Sequence, residues 1–478
     1  MHQTPRHTSG SALLFALICT IILSVFVAET IRLVGNKYRN VYHAASWQES
    51  LLAAESGVDV AMVELRKSLA NPTAAWQSPW SGIAPGAGTT SYSLSGLTYS
   101  GEGGTKMTMQ IYVDAPSQLV DSNGWQYYRI RAIGTNTVPG PPRTTDEKRD
   151  ATLRKLSLLV DRFSGNRVLS PQVSRKIEVI ARPASPFNAA ILARGLINIT
   201  DQNVVVDSYD SRDSTKSTLG QYDINKRQSN GDVASDGTLI SAGNAYIYGD
   251  VATNNGNATG IANVTGTIRT DFYQDVPLVK PPTWATVTSN TGQVSNTSTR
   301  AANAVKGAAR YIISSISISG NNTFTVTGDP SGTPTYAEIW VQGGISVSGN
   351  AQIILQDGVI ATFYVQDDVK VSGNGISNGN TSTHTNRPGN VMIYGLTPTD
   401  GHKLNISMSG NGQIEAGVYA PGADITLDGG GSGGAFYGAV VGDTVKLTGV
   451  ERFHYDESMT ASGAITDYRI ASWFEDSK

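Results

Sequence analysis

The chain from Met1 to Ala70 changes its hydrophobic pattern once, and that change outlines the first element. From Ser11 to Ala28 the run SALLFALICTIILSVFVA carries no charge. At a helical rise of about 1.5 Å per residue its length sits at the lower limit for crossing a hydrocarbon core. Past Glu29 the apolar positions thin to a stripe. Leu51, Ala54, Val58, Ala61 and Leu65 recur at three- and four-residue steps, while Glu49, Glu55, Asp59, Glu64 and Arg66 lie largely off it. This spacing predicts an amphipathic helix continuous with the apolar run, roughly 55 residues and about 80 Å long in all.

After Asn71 the period becomes two. SYSLSGLTYS, KMTMQIYVDA, WQYYRIRAIG, LRKLSLLVDR and RKIEVIARP alternate apolar and polar residues, as strands of a sheet with one wet side do. Tyr128, Ile130 and Ala132 fall on one face, with Arg129, Arg131 and Ile133 on the other. The stretch Pro139–Asp150 reads as a polar connection between two of these strands.

From Phe187 a short phrase returns: ISISGN at 316–321, ISVSGN at 345–350, VKVSGN at 369–374 and ISMSGN at 406–411, with looser copies ITLDGG from 425 and VKLTGV from 445. Successive copies start 29, 24, 37, 19 and 20 residues apart, within the range of solenoid coils with loops of variable length. Each copy joins two inward apolar residues to a Gly or Gly-Asn corner, suited to a sharp turn with positive φ. Stacking the copies aligns Ile318, Val347, Val371 and Met408 in one internal ladder. The expected fold is mainly β: a long N-terminal transmembrane and stem helix, a small antiparallel sheet region, then a right-handed parallel β-helix, with a β-sandwich or a mixed sheet as the alternative. Some ten rungs at about 4.8 Å make a body of roughly 50 Å. Phe272–Ala309, containing VPLVKPPTW and STRAANAVKGAA, breaks the pattern and reads as a loop with a short helix, or an excursion across the body that covers one end. The boundaries are a leader at 1–10, membrane and stem helix at 11–70, a strand-rich region at 71–186, the repeat domain at 187–460 and a C-terminal tail at 461–478.

Composition supports this picture. With 51 glycines and 16% charged residues, the chain has the usage of short strands joined by turns. A net charge of -3 provides no basic face for nucleic acid, which is not expected as a partner. Cys19 is the single cysteine and lies in the apolar run, so the remainder is held by packing without an internal disulfide. Arg6, with His2 and His7, precedes that run; the positive-inside preference keeps the short tail in the cytoplasm and sends the rest across. A cleaved secretory signal or a buried helix would share the length and basic flank. No small-x-small site closes the run decisively, however, and more helix follows it directly.

The polar leader ending in Gly10, the apolar stretch from Ser11 and the later AAESGVDVAMVEL resemble the N-terminus of PilX-type minor pilins, a likeness that extends to about Ala70. That resemblance implies cutting between Gly10 and Ser11 by a membrane aspartyl peptidase, with methylation of the new N-terminus. Phe15 stands where major pilins carry a glutamate, a departure PilX-type sequences commonly share. Across Phe187–Met459, three phrases in order, VDSYDS at 206–211, YAPGADITLDGGGSGGAFYGAVVG at 419–442 and FHYDESM at 453–459, resemble the C-terminal domain of uncharacterised bacterial proteins that also carry PilX-type N-termini. No activity follows from that likeness; the partners it implies are pilus or secretion machinery.

Candidate chemistry is sparse. Polysaccharide lyases and hydrolases built on parallel β-helices need carboxylates converging from adjacent rungs. Asp367, Asp368, Asp424, Asp428 and Asp443 are the candidates, but strand neighbours point to opposite faces and turn bonding explains them more simply. Asp207, Asp210 and Asp213 offer oxygen ligands for calcium, yet lack the spacing and glycine of an EF-hand loop; loop or cap hydrogen bonding is the favoured reading, and the metal question stays open. His454, Asp456 and Glu457 read as part of a cap in which Phe453 and Tyr455 cover the last rung. There is no HExxH, and GGGSGG lacks the lysine of a phosphate-binding loop. The several Asn-x-Ser/Thr triplets follow from an Asn/Thr-rich composition that also suits sugar or adhesive surfaces.

Together these features lead to a non-enzymatic, minor-pilin-like envelope protein without a cofactor, anchored N-in/C-out in a bacterial inner membrane with its β domain in the periplasm or on a surface filament. Its expected partners are the membrane, prepilin peptidase, other pilins or pseudopilins, and cell-surface polysaccharide. The alternative is a membrane-anchored β-helix protein that binds or degrades polysaccharide.

Overall fold

The computed structural model describes residues 9–70, 74–83, 90–100, 106–120, 125–137, 172–237, 239–282, 284, 290–378, 387–409, 413–429, 434–449, 452–463 and 465–476. The expected strand LRKLSLLVDR and the connection Pro139–Asp150 lie outside these residues. The chain divides into two compact units, Met1–Arg182 with Tyr468–Lys478, and Pro183–Asp467. Both are described separately.

The first unit opens with one helix, Ser9–Ala70, slightly longer than the sequence predicts. Pro72 follows two residues later and cannot continue it. Over Leu13–Val34 the helix is long and apolar enough to cross a membrane, and none of this stretch is buried. Farther along, Ala53, Ala54, Val58, Ala61, Met62 and Leu65 are buried, the stripe expected from the spacing, with Leu51 half-buried. They pack on an antiparallel sheet built from Ser81–Ile83, Thr90–Ser100, Lys106–Ala115, Tyr128–Thr137 and Gln172–Ala184 in chain order. Leu94, Ile111, Ala132 and Ile177 stand side by side across it, as do Tyr92, Val113, Ile130 and Val179, and all are buried. Helix and sheet come together through small residues. A Cβ on Gly134 would lie 2.0 Å from the Ser50 carbonyl oxygen and 2.6 Å from the Ala54 nitrogen, so the backbones meet where a side chain would stand.

One element departs from the sequence reading. Within residues 461–478, expected as a tail, Asp467–Asp476 forms a strand beside Gln172–Ala184 at the edge of this sheet. The first unit is therefore assembled from both ends of the chain. Nothing local in DYRIASWFED distinguishes an edge strand from a tail, because its pairing partner lies on the far side of the whole second unit in the sequence.

In the second unit each strand pairs in parallel with the strand one course further on, in three stacks. The third stack contains the repeat: Ile318 pairs with Val347, Val347 with Val371, and Val371 with Met408, and the line continues through Leu427 and Leu447 to Ile199. The corner glycines Gly320, Gly349 and Gly373 have φ of 64°, 68° and 82°, and a Cβ on Gly373 would lie 1.9 Å from the Gly349 oxygen. The asparagines that follow stack as well: Asn350 Nδ2 donates to Asn321 Oδ1 at 3.1 Å, and Asn374 Nδ2 to the Asn350 carbonyl at 3.1 Å. A second stack lines up Ile339, Phe363, Ile393, Val418 and Val440. A first lines up Phe324, Ile353, Ile376, Ile414, Phe436 and Phe453. These buried columns form the core.

The order of courses is not the order of the chain. Val440 pairs with Ile191 and Phe453 with Val206, so the earliest course stacks on the latest, and residues 191–269 extend the pile beyond it through Val233, Val251 and Ile268. The expected break at Phe272–Ala309 is the connection this order requires. Val279 bridges Leu396, the Tyr419 hydroxyl donates to the Pro277 carbonyl at 2.6 Å, and Asn290 and Val294 bridge Ile312 and Ile316. Residues 272–282 thus run back beside the second stack, and residues 290–301 supply the terminal course instead of a separate cover.

Candidate functional site

Among the described residues, a buried polar cluster lies where the earliest and latest courses of the second unit meet. VDSYDS and FHYDES, 247 residues apart, become adjacent parallel strands, Val205–Tyr209 and Arg452–Asp456. Alternation turns Val206 and Phe453 inward, so Asp207 and His454 emerge on the outer side of the wall, paired in register. His454 Nδ1 lies 2.6 Å from Asp207 Oδ1, and the Tyr222 hydroxyl donates to Asp207 Oδ2 at 2.7 Å. The Tyr222 ring stacks on the imidazole at 3.6 Å. Burial and the bond to Asp207 both raise the Tyr222 phenol pKa.

Alongside, Asp456 is fully buried and accepts from the backbone and hydroxyl of Ser211 at 3.0 and 2.7 Å and of Ser458 at 3.1 and 2.8 Å. Burial raises its pKa while these four donors oppose the shift. Glu457 receives Ser208 at 2.9 Å, Asn230 at 2.8 Å and Lys216 at 3.1 Å. Tyr455 is inward and donates to the Phe187 carbonyl at 2.7 Å. The expectation of a cap over the last rung needs correcting. FHYDES holds a closure inside the pile, because another course lies beyond it.

Two strands away in the same outward column stands Glu415, opposite Tyr437, which in turn is opposite His454. It is 8% exposed, and no hydrogen bond or ion pair reaches its carboxyl among the described residues. Burial alone raises its pKa to about 7. The sequence reading missed it: in QIEAGV the alternation places Glu415 outward, and only tertiary packing buries that outward side. Glu415 and Asp207 are three strand positions apart, about 14 Å at 4.8 Å per strand, beyond the carboxylate separations of glycoside hydrolysis. Asp207 is moreover already engaged by His454 and Tyr222.

The other candidates are dispersed. Asp210 accepts from the Arg212 amide and Asp213 from the Thr215 amide and hydroxyl. They close a turn and do not converge with Asp207 on a cation, and the Thr215 bonds lower the Asp213 pKa. Asp367 and Asp368 gather at an exposed corner around His402, whose Nε2 lies 3.2 and 3.5 Å from them while Nδ1 lies 2.5 Å from Asp400. The bond to Asp400 leads the causes that raise the His402 pKa. Ligand atoms of Asp367, Asp368 and His402 are close enough together to hold a metal ion. Asp424 and Asp443 meet across Lys403, at 2.5 and 2.8 Å from its Nζ, which offsets one of their two charges. Asp428 lies apart from both, paired in register with Thr448. Gly10 and Ser11 fall in the first turn of the N-terminal helix.

Residues 275–462 match the model of a domain of unknown function, DUF7305, which covers well under half of the chain. No curated protein matches the sequence. Among solved structures, the competence-associated pilin ComZ from Thermus thermophilus aligns over 90% of this chain and 97% of its own, at 9% identity and a TM-score of 0.23. That score is too low to say anything of a shared fold.

Proposed function

We propose that this chain is a pilin-like, non-enzymatic subunit of a bacterial surface or secretion filament, anchored in the inner membrane N-in/C-out and cut between Gly10 and Ser11. The observation that carries this reading is the 62-residue helix. Its bare apolar half, Leu13–Val34, is of membrane-spanning length, and its other half is packed on an antiparallel sheet, so one element both anchors the chain and seats a folded unit. The leader and the AAESGVDVAMVEL phrase, which resemble PilX-type minor pilins, point the same way. Prepilin peptidase and other pilins or pseudopilins are the partners this reading requires. The second unit is a parallel β-helix, right-handed by the general preference of parallel crossovers. Its three unbroken columns support that reading. Outside the cytoplasm it serves attachment, with cell-surface polysaccharide as the ligand class suited to its Asn/Thr-rich exterior.

The test is the mature N-terminus, read by mass spectrometry from cells with and without prepilin peptidase. A methylated peptide beginning at Ser11, only where the peptidase is present, is the expected result. An uncut chain would point to a permanent anchor, and cleavage near residue 28 to a released protein; either would overturn the filament reading.

A further inference from the structure

We infer that Asp467–Asp476 is a C-terminal latch, so that the first unit is completed only after the second has been made. This concerns folding order and stands whether or not the chain enters a filament. The polypeptide leaves the antiparallel sheet at Ala184 and returns to it at Asp467. Until then, among the described residues, Gln172–Ala184 is an edge strand with one row of backbone groups unpaired, the kind of edge that recruits other chains.

Side chains on that edge need the latch. Arg175 is 3% exposed; its guanidinium lies over the Trp47 ring at 3.6 Å and forms an ion pair with Glu475. Nε and Nη1 have no hydrogen-bond partner among the described residues, and Glu475 is the one carboxylate those residues give this buried cation. At the other end of the strand Tyr468 is buried, meets Tyr128 edge-on at 5.4 Å, and offers its carbonyl to Arg66 Nη2 at 3.4 Å. A chain ending early therefore carries its helix and five strands but leaves the Arg175 guanidinium without its carboxylate and the edge open. Only a full-length chain presents a finished first unit.

Hydrogen exchange followed by mass spectrometry in detergent tests this on the full chain, a Met1–Thr466 truncation and full-length Glu475→Arg. In both altered chains, amides of 128–137 and 172–184 are expected to exchange at least about tenfold faster, as follows from removing the partly exposed carboxylate that pairs with Arg175. Amides of 197–199 and 445–447, inside the second unit, are expected to keep their protection. Adding Arg175→Met to the truncation removes the stranded cation and is expected to restore part of the lost protection. Unchanged exchange at 172–184 would overturn the latch. So would loss of protection throughout both units, or no recovery with Arg175→Met.

Discussion

Replacing Glu415 by glutamine tests whether burial governs this carboxyl. In the folded chain its pKa is raised to about 7 from the ordinary 4.5, so the native state holds the proton more tightly than the unfolded state does. Below pH 4.5 both states are protonated and the group costs nothing. As pH rises from 4.5 to 7 the unfolded state releases its proton first, and stability falls; above 7 the loss is complete. A gap of that size is worth about 3 kcal/mol at 1.36 kcal/mol per unit. Glutamine copies the neutral form and does not titrate, so Glu415→Gln is expected to match the parent near pH 4 and to exceed it at pH 8 by about 2–3 kcal/mol. For a unit of this size that corresponds to a rise in melting temperature on the order of 5 °C. Urea unfolding of both proteins at half-unit steps from pH 4 to 8, followed by tyrosine and tryptophan fluorescence, measures the difference. A constant offset across this range would refute the reasoning, since a group that stays ionised in the fold gives no such slope.

Two further substitutions probe packing. Gly134→Ala places a Cβ against the Ser50 carbonyl and Ala54 nitrogen and is expected to destabilise the first unit by about 3 kcal/mol, read from denaturation followed at Trp47. Asp207→Ala leaves buried His454 and the Tyr222 hydroxyl without their acceptor and is expected to cost about 2–4 kcal/mol. The double variant with His454→Leu is expected to cost less than the two singles together, as measured by a double-mutant cycle.

Local features of the chain were legible because each rests on a short-range period. The step of three and four from Leu51 to Leu65 identified the buried stripe of the helix. The alternation in YRIRAIG put Ile130 and Ala132 on one face, the one the structure buries. The SGN corners located the register of the third stack, since only a residue tolerant of positive φ turns there and the apolar pair before it must point inward. The same alternation holds at Asp207 and His454, which the structure turns to the outer side of their strands, although the sequence reading takes them only as loop and cap residues. It could not show that the two strands are neighbours, or that residues 210–230, including Tyr222, lie over them.

From sequence alone came the long helix, four strands of the antiparallel sheet, the inward side of the repeat strands and the part of the helix fit for a membrane. The tertiary structure alone decided the order of the courses, the return of residues 467–476 to the sheet and the burial of Glu415. The physical reason is that every course presents nearly the same row of Ile, Val, Leu or Phe to the core, so alternation is satisfied equally well whichever course lies above or below. Choosing among such neighbours depends on contacts between residues hundreds of positions apart, as between Val440 and Ile191 or Arg175 and Glu475. A local pattern carries no record of those contacts.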